Sequence, residues 1–407
     1  MTSIGLKGAP VTPLNLFTDL GSPIVTTCAG VVALHLSVSS RLSEWRVVRA
    51  LFGSNRGKRA TLAVMRLYSS LPAVLLLASA LQGAAISVVR FSENPLVTVS
   101  SDPSVGDNVN GPSIIRVPPW VKKPLGRYYM YFAHHKGQNI RLAYADSLRG
   151  PWKVYKPGVL NVSATAFFRS QPDPPNTGPY THVASPEIYV DNAHKKIVMW
   201  AHGYWTEDQR WPEAPADAQQ WLQSHGYGQY TQSAESVDGL NFEMRPAITK
   251  QSYMRVFNRA DHFYGMARLG QLLRAKDPSS SFELGPNPFQ DGPYANRVRH
   301  VALMAHENYI DVFFSAIGDA PEKILHTTIP MIGDWTQWRA TAYEEVLTPQ
   351  TKYECPEMPT APSKSGEIHG PAKQLRDPAL FLEGGKVYLF YTVCGEQGVG
   401  GAEITFR

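Results

Sequence analysis

At 407 residues, 43% apolar and 18% charged, the chain is globular rather than disordered, with room for one large or two ordinary domains. Its formal charge of +5 does not mark a nucleic-acid binder. Residues 1–85 hold eight of the Lys and Arg against Asp19 and Glu44, so the basicity belongs to this leader and the rest is close to neutral.

In chain order, residues 1–64 show no period or motif and read as an over-extended or non-structural leader. Residues 65–85 have one arginine, an uncharged core from Leu71 to Leu81 and Gly83-Ala84-Ala85 at the end. That is the pattern of a secretory signal peptide cut after Ala85. The rival is an uncleaved anchor, because 71–89 is 19 residues without a charge, close to the ~20 that span a bilayer. Gln82 and Gly83 weigh against it. The expectation is a secreted, monomeric protein with no stable membrane span after cleavage and no nucleic-acid partner. Cys28 leaves with the leader, and Cys355 and Cys394 remain as a disulfide or as two unpaired thiols.

From residue 86 onward a unit recurs: a strand, a turn, a strongly aromatic strand, then a third strand closing on a turn and an aromatic. It reads NGPSIIRV, GRYYMYFAHH, NIRLAYADSLRGPWKVY from Asn110. It returns as ASPEIYVD, KKIVMWAHG, YTQSAESVDGLNFEM, as YMRVFNRA, HFYGMARLG, QLLRAKDPSSSFEL, and as RHVALMAH, NYIDVFFSAIG, KILHTTIPMIGDWTQW. The fifth copy is LRDPALFLEGG, KVYLFYTVCG, VGGAEITF. Units that cannot bury their faces singly point to radial stacking, hence an all-β, five-bladed β-propeller over 86–407 with a central funnel. The spare segment 88–99 is available to supply the outer strand of the fifth unit and close the ring.

ENPLVT at 93–98, DSLRGPW at 146–152 and LRDPALF at 375–381, with five units in order, resemble the five-bladed β-propeller glycoside hydrolases. This superfamily contains arabinofuranosidase/xylosidase-like and invertase-like enzymes. The resemblance implies carboxylates on either side of a glycosidic bond, one protonating the leaving oxygen and the other acting as base or nucleophile. It also implies a carbohydrate substrate and, often, an Asp just before the proline of a first strand. Asp377 fits that position. Gly111 and Ser185 stand there in the first two units, a departure from the pattern.

In an antiparallel meander the start of the first strand and the second turn share one end. The starts give Asn110, Glu187, Arg255, Arg299 with His300, and Arg376 with Asp377. The turns give His134, His135, His202, Asp319 and Glu396. Glu187 and Asp377 are the expected catalytic pair, with Glu396 and Asp319 in reserve and the others as substrate-binding candidates. Arg255, Arg299 and Arg376 suit a carboxylate or sulfate on an acidic sugar, because guanidinium binds such groups in bidentate fashion. Each residue has a structural alternative: Glu187 paired with an arginine to stop up the axis, Arg376 as a carboxylate partner, one of the adjacent His134 and His135 turned away.

Trp205, Trp211 and Trp221 fall in an insertion, 204–229, that could wall the pocket. No metal motif occurs and no cofactor is required, with an axial divalent cation held by a histidine and water as the minor alternative. The expected function is a secreted glycoside hydrolase. The alternatives are a polysaccharide lyase acting on a uronate, using His, Tyr and Arg, and a carbohydrate-binding propeller without catalysis.

Overall fold

The computed structural model describes residues 86–173, 179–206 and 228–407. The expected leader and signal peptide, with Trp211 and Trp221, lie outside the described residues. Five antiparallel sheets form the five blades: the first four have four strands each in sequence order from the axis outward, and the fifth has its outermost strand from the start of the propeller and an added short strand. The innermost strands are Asn110–Arg116, Ala184–Asp191, Arg255–Arg259, Val298–Ala305 and Arg376–Glu383. A fourth, outer strand such as Lys153–Asn161 completes each of the first four blades, where the sequence repeat had only the third strand and its tail. The fifth blade takes its outer strand from Ile86–Arg90, which pairs with Gly398–Phe406 in the register Ile86 to Phe406. The ring is thereby closed by the segment left spare in the repeat.

The aromatic second strands explain why the blades stack. Every residue of Tyr128–Ala133 is buried, a continuous apolar run belonging to a strand covered on both faces. Side chains alternate between those faces. Tyr129, Tyr131 and Ala133 pack with Ile197 and Met199 of the second blade, whereas Tyr128, Met130 and Phe132 pack with Phe390 of the fifth. Each such large side chain contributes about 1.5–3 kcal/mol on burial, so one strand serves two blade interfaces.

Four innermost strands begin with a break in register, between Asn110 and Ser113, Ala184 and Glu187, Val298 and Val301, and Arg376 and Ala379. Gly111, Ser185 and Asp377 stand in these breaks with left-handed φ of 57°, 47° and 50°. Tyr253, two residues before Arg255, has φ 59° at the start of the third blade. At Gly111 the sequence has no choice: a Cβ there would come within 2.8 Å of Ser185 Cα in the next blade. The aspartate that the superfamily pattern leads one to expect cannot be accommodated without moving backbone.

Cys355 and Cys394 are joined in a disulfide, Cα to Cα 5.0 Å. It ties the long connection before the fifth blade to the end of the strand Lys386–Val393. Among the described residues no helix is long and apolar enough to cross a membrane.

Candidate active site in the axial funnel

Polar side chains on the axis form two layers. The deeper one is a plug. Arg255, buried, donates from Nη1 to Pro186 O at 3.1 Å, from Nε to Val301 O at 3.1 Å, and from Nη2 to Pro112 O at 2.9 Å and Pro378 O at 3.2 Å. One guanidinium thus ties together the innermost strands of the other four blades. Its charge is met by Glu187, whose Oε2 lies 2.6 Å from Nη1 and also accepts from Ser113 Oγ at 3.2 Å. Glu187 and Arg255 line a small space of about 60 Å³ with Ser113, Ala302 and Ala379, residues further along the innermost strands than those lining the funnel floor. The structure therefore removes both from the funnel. Glu187 is two residues past Ser185 on the same face, as the alternation requires, but that step of about 6.5–7 Å carries it into the plug.

The layer nearer the mouth is the funnel floor. Asn110, His135, Tyr253, Arg268, Arg299, His300, Asp377 and Glu396 surround a space of about 10 Å³, at the lower limit of what holds one water. Above it opens a cavity of about 820 Å³ walled by Tyr180, Tyr204, Tyr230 and Tyr253, with Lys136, Lys250, Arg268 and Glu367 among its charged groups.

Two carboxylate–imidazole pairs flank Tyr253. In one, Asp377 Oδ1 sits against His300 Nδ1 in an ion-pair contact, while Oδ2 accepts from Gly111 N at 3.3 Å and Thr392 Oγ1 at 3.4 Å. Burial alone would push the Asp377 carboxyl up; His300, Arg376 and Arg299 outweigh it and hold the pKa below the ordinary carboxylate range. Burial lowers the His300 pKa, against the pull of Asp377. His300 Nε2 has no hydrogen-bond partner among the described residues. In the other pair, Glu396 Oε2 lies 3.5 Å from His135 Nδ1, and His135 Nε2 lies 3.2 Å from the Tyr253 hydroxyl. Asn110 Nδ2 is 3.3 Å from the same Nδ1. The Glu396 pKa is lowered: burial raises it, but His135 and Arg376 outweigh that. Burial pushes the Tyr253 phenol up, against the opposing pull of Arg268, so its proton stays on at neutral pH.

The arginines of the floor are largely spoken for. Arg299 Nε donates to Glu322 Oε1 at 2.7 Å, and Arg376 lies 3.2 Å from Glu322 and 3.0 Å from Glu396. Glu322 is fully buried. The expected anion clamp of Arg255, Arg299 and Arg376 is thus corrected: each guanidinium already faces a carboxylate of its own chain, the cheaper way to bury a charge.

Of the remaining candidates, His134 turns away from the floor to Asp107, 2.6 Å from its Nε2. His135 is the member of that pair that faces inward. His202 is buried 4.1 Å ring to ring from Tyr253 and lines neither space. Asp319 pairs with Arg297 outside the floor, its pKa raised by burial against the pull of that arginine. Tyr253, Arg268, Glu322 and Glu367 were missed. A signal for two of them exists: Tyr253 occupies the break position held elsewhere by Gly111, Ser185 and Asp377, and Arg268 lies in the second turn of the third unit, MARLGQ.

No family model matches the chain. Among solved structures it resembles the GH43 BlXynB protein of Bacillus licheniformis, at TM-scores of 0.47 and 0.45 and 14% identity over 75% of this chain. The chain spans half the length of that protein, 50%. It also resembles the α-L-arabinofuranosidase of Lactobacillus brevis (TM-score 0.45, 10% identity, 77% of this chain and 93% of that one). A third is CoXyl43, a GH43 β-xylosidase/α-arabinofuranosidase from a compost microbial metagenome (0.46, 11%, 74% and 91%). Likeness at this level bears on neither activity nor individual residues. A protein of Acanthamoeba polyphaga mimivirus, "Uncharacterized protein R118", is 33% identical over 341 residues, covering 78% of this chain and 90% of the viral protein. Over that length the identity leaves no ambiguity: the chain belongs to the family of the mimivirus protein R118.

Proposed function

We propose that this protein is a glycoside hydrolase whose reaction takes place on the funnel floor. The observation that carries the reading is the pair of carboxylate-held imidazoles, His300 on Asp377 and His135 on Glu396, on either side of the Tyr253 hydroxyl. Hydrolysis needs one proton taken from water and one given to the leaving oxygen. His300, kept neutral by burial and oriented by Asp377, takes the water proton as the water oxygen bonds to the anomeric carbon. Tyr253 gives its proton to the departing sugar oxygen, and the proton left on His300 returns to Tyr253 through solvent and His135, which closes the cycle. The carboxylates orient the rings and stabilise imidazolium rather than attacking, the division of labour known from carboxylate–histidine pairs in general. Tyrosine rings walling the cavity suit the C–H faces of sugars. No cofactor enters this reading, and the disulfide supports export to an oxidising compartment.

A second reading, β-elimination at a uronate, is favoured by one observation: no carboxyl of the floor has a raised pKa, so imidazole and phenol remain the proton carriers. His300 would then abstract the C5 proton and Tyr253 protonate the leaving oxygen.

Product analysis of the full chain against neutral and acidic oligosaccharides tests both. New reducing ends without unsaturated-uronate absorbance, lost in Tyr253→Phe, are expected. Absorbance at the double bond moves the case to elimination. Binding without any cleavage makes this a carbohydrate-binding propeller and overturns the proposal.

A further inference from the structure

Four arginines reach the axial end of this funnel or the plug below it, and three are neutralised by carboxylates: Arg255 by Glu187, Arg299 by Glu322, Arg376 by Glu322 and Glu396. Arg268 is not. It sits on the short turn Arg268–Gly270 between the second and third strands of the third blade, held by a bond from its own N to Ser252 O at 2.9 Å. Its Nη2 donates to Ser365 Oγ at 2.8 Å, and it has no carboxylate partner among the described residues. It lines both the floor and the cavity above, so its position is at the passage from one to the other.

The cavity around it repeats the imbalance. Glu367 is engaged by Lys136 at 2.5 Å and by His369 at 3.1 Å. Exposed Lys250 has no ion-pair partner among the described residues. Arg268 and Lys250 leave the cavity with an excess of positive charge. The floor below is balanced rather than cationic, because Asp377, Glu396 and Glu322 stand against Arg299, Arg376 and Arg268 itself. A neutral sugar meets a cation at the junction only through hydrogen bonds to its hydroxyls. A sugar carrying an anion meets it with opposite charge as well: the cation holds the substituent above while the ring is presented to Tyr253 below.

We infer that Arg268 binds an anionic substituent, a carboxylate or a sulfate, on the sugar seated over Tyr253, with Lys250 steering the anion into the cavity. The inference rests on the funnel being the carbohydrate site of the proposed function. A guanidinium suits either anion through paired N–H donors, and a cation at the mouth of a concave site raises local anion concentration.

The test separates binding from cleavage. The full chain carrying Tyr253→Phe is measured against four probes: galacturonate oligosaccharides, their methyl esters, sulfated galactose oligosaccharides and neutral xylose oligosaccharides. The acidic probes should bind and the methyl esters and neutral probes should bind at least about tenfold more weakly; adding Arg268→Gln should weaken the acidic probes about 10- to 100-fold, with Arg268→Lys in between. Whether uronate or sulfate binds tells the two anions apart. Equal binding of neutral and acidic probes, no effect of Arg268→Gln, or no binding of any acidic probe overturns the inference. Arg268-dependent acidic binding by a chain whose parent cleaves nothing sinks the proposed function alone. Tyr253-dependent cleavage of a neutral glycan, indifferent to Arg268, sinks only the inference.

Discussion

His135 Nε2 lies 3.2 Å from the Tyr253 hydroxyl, and the two residues come from the first and third blades, which are not neighbours in the ring. The contact therefore reaches across the axis past the second blade, whose His202 also packs on Tyr253. If it moves a proton, Tyr253→Phe and His135→Asn each lower turnover by about 10²–10⁴ with less change in substrate affinity. The double variant should lose little more than either single one, since the residues act as a unit. Additive losses in kcat would show that they work separately.

The plug predicts a different phenotype. Glu187→Gln leaves the Arg255 guanidinium with its four carbonyls but without a counter-charge, a loss of about 1–3 kcal/mol. Arg255→Met strips the same carbonyls and strands Glu187, costing about 3–5 kcal/mol. Denaturant unfolding measures both. Turnover per folded molecule in Glu187→Gln should stay near the parent value; a collapse of kcat in a normally stable variant would return Glu187 to the chemistry.

Gly111→Ala adds a Cβ at φ 57° and 2.8 Å from Ser185 Cα. The left-handed conformation alone costs about 1–2 kcal/mol, and the blade contact adds to it. A melting temperature equal to the parent's would mean that the first and second blades can separate without cost.

Acid should weaken the fold before any carboxylate protonates. Burial pushes the His182 pKa down to about 3, and burial with the neighbouring histidines holds His202 well below its ordinary value. Below about pH 6.5 the unfolded chain binds protons that these rings refuse, so stability falls as pH drops from there toward 3. Asp377 and Glu396, with lowered values, add a loss of the same sign once pH passes below the ordinary carboxylate range. Thermal melts between pH 4 and 8 should slope accordingly, and His182→Gln should flatten the upper part. A flat profile in the parent would contradict the burial of both rings.

The disulfide closes a separation of 39 residues and anchors the connection that brings Gly366 and Glu367 to the funnel. Cys394→Ser should cost up to about 4 kcal/mol by chain entropy. Because Glu396 follows two residues later, it should also loosen the His135–Tyr253 contact. Reduction without any effect on melting would argue against both.

The blades were legible because each carries its own apolar strand run, and because side-chain alternation is a local property. The floor was legible at Asn110, His135, His300, Asp377 and Glu396, where the meander rule brings strand starts and turns to one end. Glu187 was misplaced because residues two apart on a strand share a face, and only the register relative to the other blades tells site layer from plug layer. Arg255 was chosen over Tyr253 at the third start for the same reason. The pairing of Arg299 and Arg376 depended on Glu322, which stands three residues past Asp319 in the same second turn of the fourth blade and was passed over for it.

The fifth blade has a consequence for how the chain is made. Its outer strand, Ile86–Arg90, precedes its inner three by almost the whole length of the propeller. During synthesis that strand emerges first and waits for Gly398–Phe406, its partner, which emerges last. Until then the nascent chain presents unpaired strand edges and a gap in the ring, the kind of surface that recruits other chains. Closure is a late, long-range step, and it comes after the blades that carry His135 and Tyr253 have been made. A chain interrupted before its last strand is left with an open ring and with Ile86–Arg90 lacking its partner.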